Sequence, residues 1–118
     1  MIKRAFLFPG QGAQYVGMGK DLYRQFDGAK RVFQKANDVL GFDLASICFN
    51  GRSEELNQTS MCQPAILVTS IAALESYEHF RNNGKLECHA VAGLSLGEYT
   101  ALVFAGSLSF EDAVQLVY

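Results

Sequence analysis

The sequence has little that would commit it to a membrane, a nucleic acid or an oxidising compartment. No apolar run reaches the ~18 to 20 residues that a spanning helix requires. The longest, Ala65 to Leu74, is shorter and carries Thr69 and Ser70. The first residues do not read as a secretory leader, because Lys3 and Arg4 precede only Ala5, Phe6, Leu7 and Phe8 before Pro9-Gly10 stops the run. Charge of one sign is lacking too: Lys plus Arg is 10, Asp plus Glu is 12, and the net charge is −2. That balance gives no electrostatic footprint for nucleic acid or an anionic membrane surface. Cysteine is sparse and odd in number. Cys48, Cys62 and Cys88 are far apart, which suits free thiols in a reducing cytoplasm rather than a disulfide framework. No Cys or His residues stand at zinc-ligand spacing apart from the adjacent Cys88 and His89, so no metal is implied. Histidine is scarcer still, with His79 and His89 alone.

What is present is ordinary globular sequence. The chain has 118 residues, 49% apolar and 19% charged, which suits one domain and argues against disorder. It shows neither repeats nor an internal linker. Ala5 to Phe8 reads as a buried strand, and the glycines at 10, 12, 17 and 19 make the following stretch permissive. Helices are expected at Asp21 to Phe26, at Lys30 to Leu40 with an apolar face of Val32, Phe33, Ala36, Val39 and Leu40, and at Leu44 to Phe49. Gly41 should end the second of these. Ser53 reads as the N-cap of another helix, and Pro64 as the first residue of a long one reaching about Arg81, stopped by Asn82-Asn83-Gly84. Cys88 to Leu94 is the second buried strand. Tyr99 to Ala105 is an apolar helix closed by Gly106, and Ser109, with Asp112 at the capping-box position, opens a last helix in which the sequence ends.

One motif carries chemistry. Gly93-Leu94-Ser95-Leu96-Gly97 fits G-x-S-x-G, the nucleophile elbow. The spacing serves a very tight strand-to-helix turn. Glycines two residues to either side let strand and helix pass without Cβ clashes, and the serine sits strained and exposed at the apex. The helix N-terminus then aims N–H groups at a developing oxyanion. The plain alternative is a glycine-rich turn with Ser95 as an ordinary N-cap. The elbow reading requires Ser95 to occupy a sparsely populated backbone region.

Phe8-Pro9-Gly10-Gln11-Gly12, then Gln14 and Gly17-Met18-Gly19, resembles the opening of malonyl-CoA:acyl carrier protein transacylases. Gln63-Pro64-Ala65 and Gly93 to Tyr99 are similar to that family's next two signatures, in order, and the resemblance runs the length of the chain. It implies an α/β fold: an α/β-hydrolase-like large subdomain with a smaller ferredoxin-like subdomain inserted. Residues 1–118 would be the N-terminal part of one acyltransferase domain, roughly its first third, helix-rich with few parallel strands. It implies Ser95 as nucleophile toward malonyl-CoA and acyl carrier protein as the final acceptor, with no permanent cofactor. The backbone N–H groups of Gln11 and Leu96 would form the oxyanion hole, which requires Gln11 to lie close to Ser95. Gln63 would line the active site, although a helix N-terminal or near-cap role suits it equally. Leu94 stands where many members of the family have histidine.

The same comparison exposes what this stretch lacks. His89 lies six residues before Ser95 on one strand, about 20 Å away at ~3.3 Å per residue. His79 lies near the exposed end of a helix. Neither serves as the base, and no histidine follows Ser95. None of the arginines at 4, 24, 31, 52 and 81 falls in a motif that would hold a malonyl carboxylate. Glu98 shares a helix face with Ser95 and is better suited to the helix N-terminus. The family's histidine and arginine would lie beyond Tyr118, so the chain looks truncated and is expected to be inactive alone. Two other readings stay open: a polyketide-type acyltransferase or other serine acyl hydrolase, and a non-catalytic fragment that needs a complementary chain.

Overall fold

The computed structural model describes residues 2–81 and 87–118. Strand β1 (Ala5–Phe8) leads through a glycine-rich loop into helices α1 (Lys20–Gln25), α2 (Asp27–Leu40), α3 (Leu44–Asn50), α4 (Ser53–Leu56) and α5 (Thr59–Arg81). Strand β2 (Ala90–Gly93), α6 (Leu96–Phe104) and α7 (Phe110–Val117) complete the order. The two strands pair in parallel, Ala5 with Ala90 through Phe8 with Gly93. Their C-terminal ends therefore share one edge, the edge where α/β folds build their sites. The fold class is the expected one: a partial α/β unit, rich in helix, with a two-stranded parallel sheet.

The core is helical, and the sheet stands at its rim. Phe33 of α2, Leu44 of α3, Leu56 of α4, Ile66, Leu67 and Val68 of α5 and Val114 of α7 are almost wholly shielded from water. Phe33 also sits in an aromatic cluster, its ring 5.0 Å from Phe49 and 6.0 Å from Tyr23. Local signals set most helix ends. Gly41 closes α2 at φ 78°, a conformation that costs other residues ~1 kcal/mol or more. The Ser109 hydroxyl accepts from the Asp112 N–H at 3.1 Å and caps α7 as expected.

Several expectations need correction. Pro64 does not open α5 but lies inside it, because the helix begins at Thr59, where the Gln58 carbonyl takes the N–H groups of Met61 and Cys62. Pro64 leaves the Ser60 carbonyl without its helical donor, a loss offset by burial of Pro64 through Val68. Ser53 is the first helical residue of α4 rather than its cap; the extended Arg52 holds the cap position, with no side-chain cap bond. Helices α1, α2 and α6 begin one to three residues earlier than expected, and β2 is shorter, since its partner β1 has four residues. Neither strand is buried on both faces. Phe6 and Phe8 pack on Phe104 of α6, with centroids 5.4 and 6.2 Å apart. The opposite face, carrying Ala5, Leu7, Ala90 and Ala92, is exposed, because α6 covers one side only. The Asn82-Asn83-Gly84 stop lies outside the described residues.

Candidate active site

Ser95 stands between β2 and α6 with φ 56° and ψ −115°, the one non-glycine residue with positive φ among those described. Such a conformation costs roughly 1–3 kcal/mol and persists only where its surroundings over-determine it. Here the surroundings are glycines. A Cβ on Gly93 would sit 2.0 Å from the Gly97 carbonyl carbon, and one on Gly97 would sit 2.2 Å from the Phe8 carbonyl oxygen. Strand, turn and helix are thus in backbone-to-backbone contact, and the chain reverses within two residues. Ser95 holds the N-cap position of α6, yet its side chain makes no capping bond. The plain alternative, in which the hydroxyl serves the helix as that of Ser109 serves α7, does not hold. The hydroxyl is exposed and uncommitted.

The loop after β1 lies against this turn. A Cβ on Gly10 would meet the Leu94 carbonyl oxygen at 2.6 Å and the Leu96 nitrogen at 3.7 Å. Gln11, the next residue, enters a tight turn in which the Ala13 N–H reaches the Gly10 carbonyl at 3.3 Å and Gly12 takes φ 110°. Neighbouring N–H groups are occupied: Gly12 donates to the Gln14 side chain, Gly97 to the Leu94 carbonyl and Glu98 to the Ser95 carbonyl. Among the described residues, the N–H groups of Gln11 and Leu96 make no such bond. For Leu96 this is the ordinary condition of a first helical residue.

Gln63 is the fifth residue of α5, half-buried, so it is not the helix cap. Helical spacing puts it on one stripe with Ser70 and Tyr77, which face β1 and Pro9 across an open groove. The start of α5 lies toward the strand C-terminal ends: the Gln14 amide donates to Asn57, just ahead of α5, at 3.0 Å. The far end of α5 lies near Cys88, below β2. Gln63 therefore belongs to the same end of the molecule as Ser95. The histidines do not. His89 accepts from the Arg4 N–H at 3.1 Å, at the opposite end of the sheet. His79 lies edge-on to Phe26, 5.9 Å between rings. Glu98 is exposed in the first turn of α6, and Leu94 is 80% exposed beside Ser95. Among the described residues no group of three His, Cys, Asp or Glu side chains is placed to hold a metal. Asn57 is the residue that sequence reading missed. It meets Gln14 across 43 positions, and no local signal announces that contact.

Residues 5–118 match the family described as "Acyl transferase domain". A malonyl CoA-acyl carrier protein transacylase of Bacillus subtilis is 54% identical over 117 residues, covering 99% of this chain and 36% of that protein. A probable mitochondrial malonyl-CoA-acyl carrier protein transacylase of Drosophila melanogaster is 54% identical over 111 residues, 94% of this chain and 29% of its own. The crystal structure of the Clostridium perfringens transacylase superposes with TM-score 0.90 at 45% identity, covering 98% of this chain and 35% of that one. A malonyl-transacylase solved in complex with a type II PKS acyl-carrier protein gives 0.89 at 42% identity, covering 98% and 37%. The chain thus spans about a third of the length of these relatives.

Proposed function

The chain belongs to the acyl transferase domain family, and on that premise we propose that it supplies the nucleophilic part of a malonyl-CoA:acyl carrier protein transacylase. Residues 1–118 form the N-terminal part of one acyltransferase domain, within its large subdomain. Ser95 is the nucleophile of a G-x-S-x-G elbow. Its Oγ attacks the thioester carbonyl of malonyl-CoA and gives up its proton to a base. The tetrahedral oxyanion is held by the Gln11 and Leu96 N–H groups, and the C–S bond then breaks to release CoA. The malonyl ester on Ser95 is next attacked by the phosphopantetheine thiol of acyl carrier protein, which returns the hydroxyl. Gln63, at the same end of the molecule, lines the substrate pocket. Neither His79 nor His89 is placed to be the base, and none of the arginines falls in a motif that would hold the malonyl carboxylate. Those functions fall to residues other than the ones described. The setting is cytoplasmic, in keeping with three unpaired cysteines.

The observation that carries this reading is Ser95 itself: a strained, exposed serine whose hydroxyl is withheld from the helix it begins. The test uses the chain as it stands, and the chain joined to the C-terminal two thirds of the Bacillus subtilis relative, each given malonyl-CoA and acyl carrier protein. The joined protein should form a malonyl ester on Ser95, seen by peptide mass spectrometry, and lose it on adding the carrier protein. The chain alone should turn over several orders of magnitude more slowly, as serine enzymes without their base do. A joined protein whose transfer survives Ser95→Ala would refute the assignment.

A further inference from the structure

We propose that Gln14 and Asn57 act as a positioning pair that fixes the Gln11 N–H against Ser95; this rests on the reading of Ser95 as nucleophile and Gln11 as oxyanion donor. A donor N–H serves a transition state only if it is held within about 0.5 Å of its place. The loop that carries Gln11 is poorly suited to that by itself. Four glycines, at 10, 12, 17 and 19, punctuate it, three of them at positive φ. Its internal turn bond, Ala13 to Gly10, is long at 3.3 Å. Gln14 compensates at both ends of its amide. Its Oε1 accepts from the Gly12 N–H at 2.8 Å, holding the residue that directly follows Gln11. Its Nε2 donates to Asn57 Oδ1 at 3.0 Å, tying that turn to the junction of α4 and α5. Asn57 is a firm anchor, because its own N–H donates to the Ser53 carbonyl at 2.9 Å and the preceding Leu56 is buried in the core. The next tether, Gly17 N–H to the Cys48 carbonyl at 2.7 Å, lies five residues beyond Gly12 and leaves the turn itself free. Both bonds of Gln14 are exposed, so they contribute little to folding, and their loss should register in the reaction rather than in stability.

Two measurements test the pair. In the chain itself, Asn57→Ala, which does not touch Gly12, should speed amide exchange at Gly12 by about tenfold while core amides of α5 stay unchanged. In the joined transacylase, Gln14→Ala and Asn57→Ala should each lower kcat about ten- to a hundredfold. KM for malonyl-CoA should stay within about threefold. The double variant should be no slower than the worse single one, because both act through one tether. Asn57→Asp, which keeps the acceptor oxygen, should stay within about threefold of the parent. Unchanged Gly12 exchange, unchanged kcat, multiplicative losses or an Asp variant as slow as Ala would each overturn the pair. A parent protein whose transfer survives Ser95→Ala would instead overturn the underlying assignment.

Discussion

Replacing Ser95 by glycine should make the protein more stable, and replacing it by alanine should not. Ser95 is held at φ 56° and ψ −115°, a region that a Cβ disfavours by roughly 1–3 kcal/mol. Glycine removes that strain but returns about 0.5–1 kcal/mol through the freedom it gains in the unfolded chain. The net gain is therefore about 0–2.5 kcal/mol, centred on about 1. Alanine keeps the Cβ, and the lost hydroxyl makes no capping bond, so Ser95→Ala should lie within about 0.5 kcal/mol of the parent. Ser109→Ala is the contrast. That hydroxyl does cap its helix, and its loss should cost about 1 kcal/mol. Thermal unfolding followed by circular dichroism resolves these differences, since 1 kcal/mol moves Tm by roughly 3–6 °C at this size. Comparing Gly with Ala at position 95 cancels the hydroxyl from both sides. A Gly variant melting at or below the Ala variant would mean that the turn stores no strain and would refute Ser95 as a strained elbow residue.

Gly97→Ala should be among the most damaging single-methyl additions in the chain. Its Cβ would lie 2.2 Å from the Phe8 carbonyl oxygen and 3.1 Å from that of Pro9, so backbone must move off backbone, and a loss of about 3 kcal/mol or more should appear in urea unfolding. Cys48 should resist iodoacetamide at pH 8 in the folded protein while Cys88 reacts, read by peptide mass spectrometry. Burial first, and the Asp43 charge second, raise the Cys48 thiol from 9.0 to about 12. Because the fold favours the neutral thiol, its contribution to stability is complete below pH 9 and is lost as pH rises from about 9 toward about 12.

Much of this architecture was legible because it is local. Gly41 after a helical run, Ser109 three residues before Asp112, and Gly93 and Gly97 bracketing a serine each act within a few residues, and each sits in the structure as expected. The failures have tertiary causes. Pro64 reads as a helix start because its missing N–H is harmless there, but burial of the segment behind it holds the proline inside α5. The apolar runs Ala5–Phe8 and Cys88–Leu94 read as strands covered on both faces, whereas α6 covers one face only. That Gln11 and Ser95 would lie on adjoining segments required a parallel pairing of β1 and β2, which the motifs suggested and the register settles. The Gln14–Asn57 bond had no precursor in the sequence at all: two polar side chains 43 positions apart carry no periodicity to read.

The division of labour in the candidate site follows from the same distinction. The strained serine and its two free N–H groups are made by close approaches among Phe8, Gly10, Gly93, Leu94 and Gly97. All of these are backbone contacts inside this chain, and they accompany the in-register pairing of two four-residue strands. A helical core of α2, α5 and α7 supports that pairing from one side, with Phe104 of α6 as the link to Phe6 and Phe8. Main-chain N–H groups are thus brought to the Ser95 turn by the fold, and the Gln14 amide, bonded to Gly12 and Asn57, is the side chain that touches the turn carrying one of them. On the proposed function, a base and a carboxylate partner are side chains that another element would deliver to the hydroxyl. Here both histidines are committed elsewhere, one to the Arg4 N–H at the far end of the sheet and one against Phe26. For that reason Ser95→Gly, Gly97→Ala and Asn57→Ala test the site through stability and amide exchange even where turnover is too slow to follow.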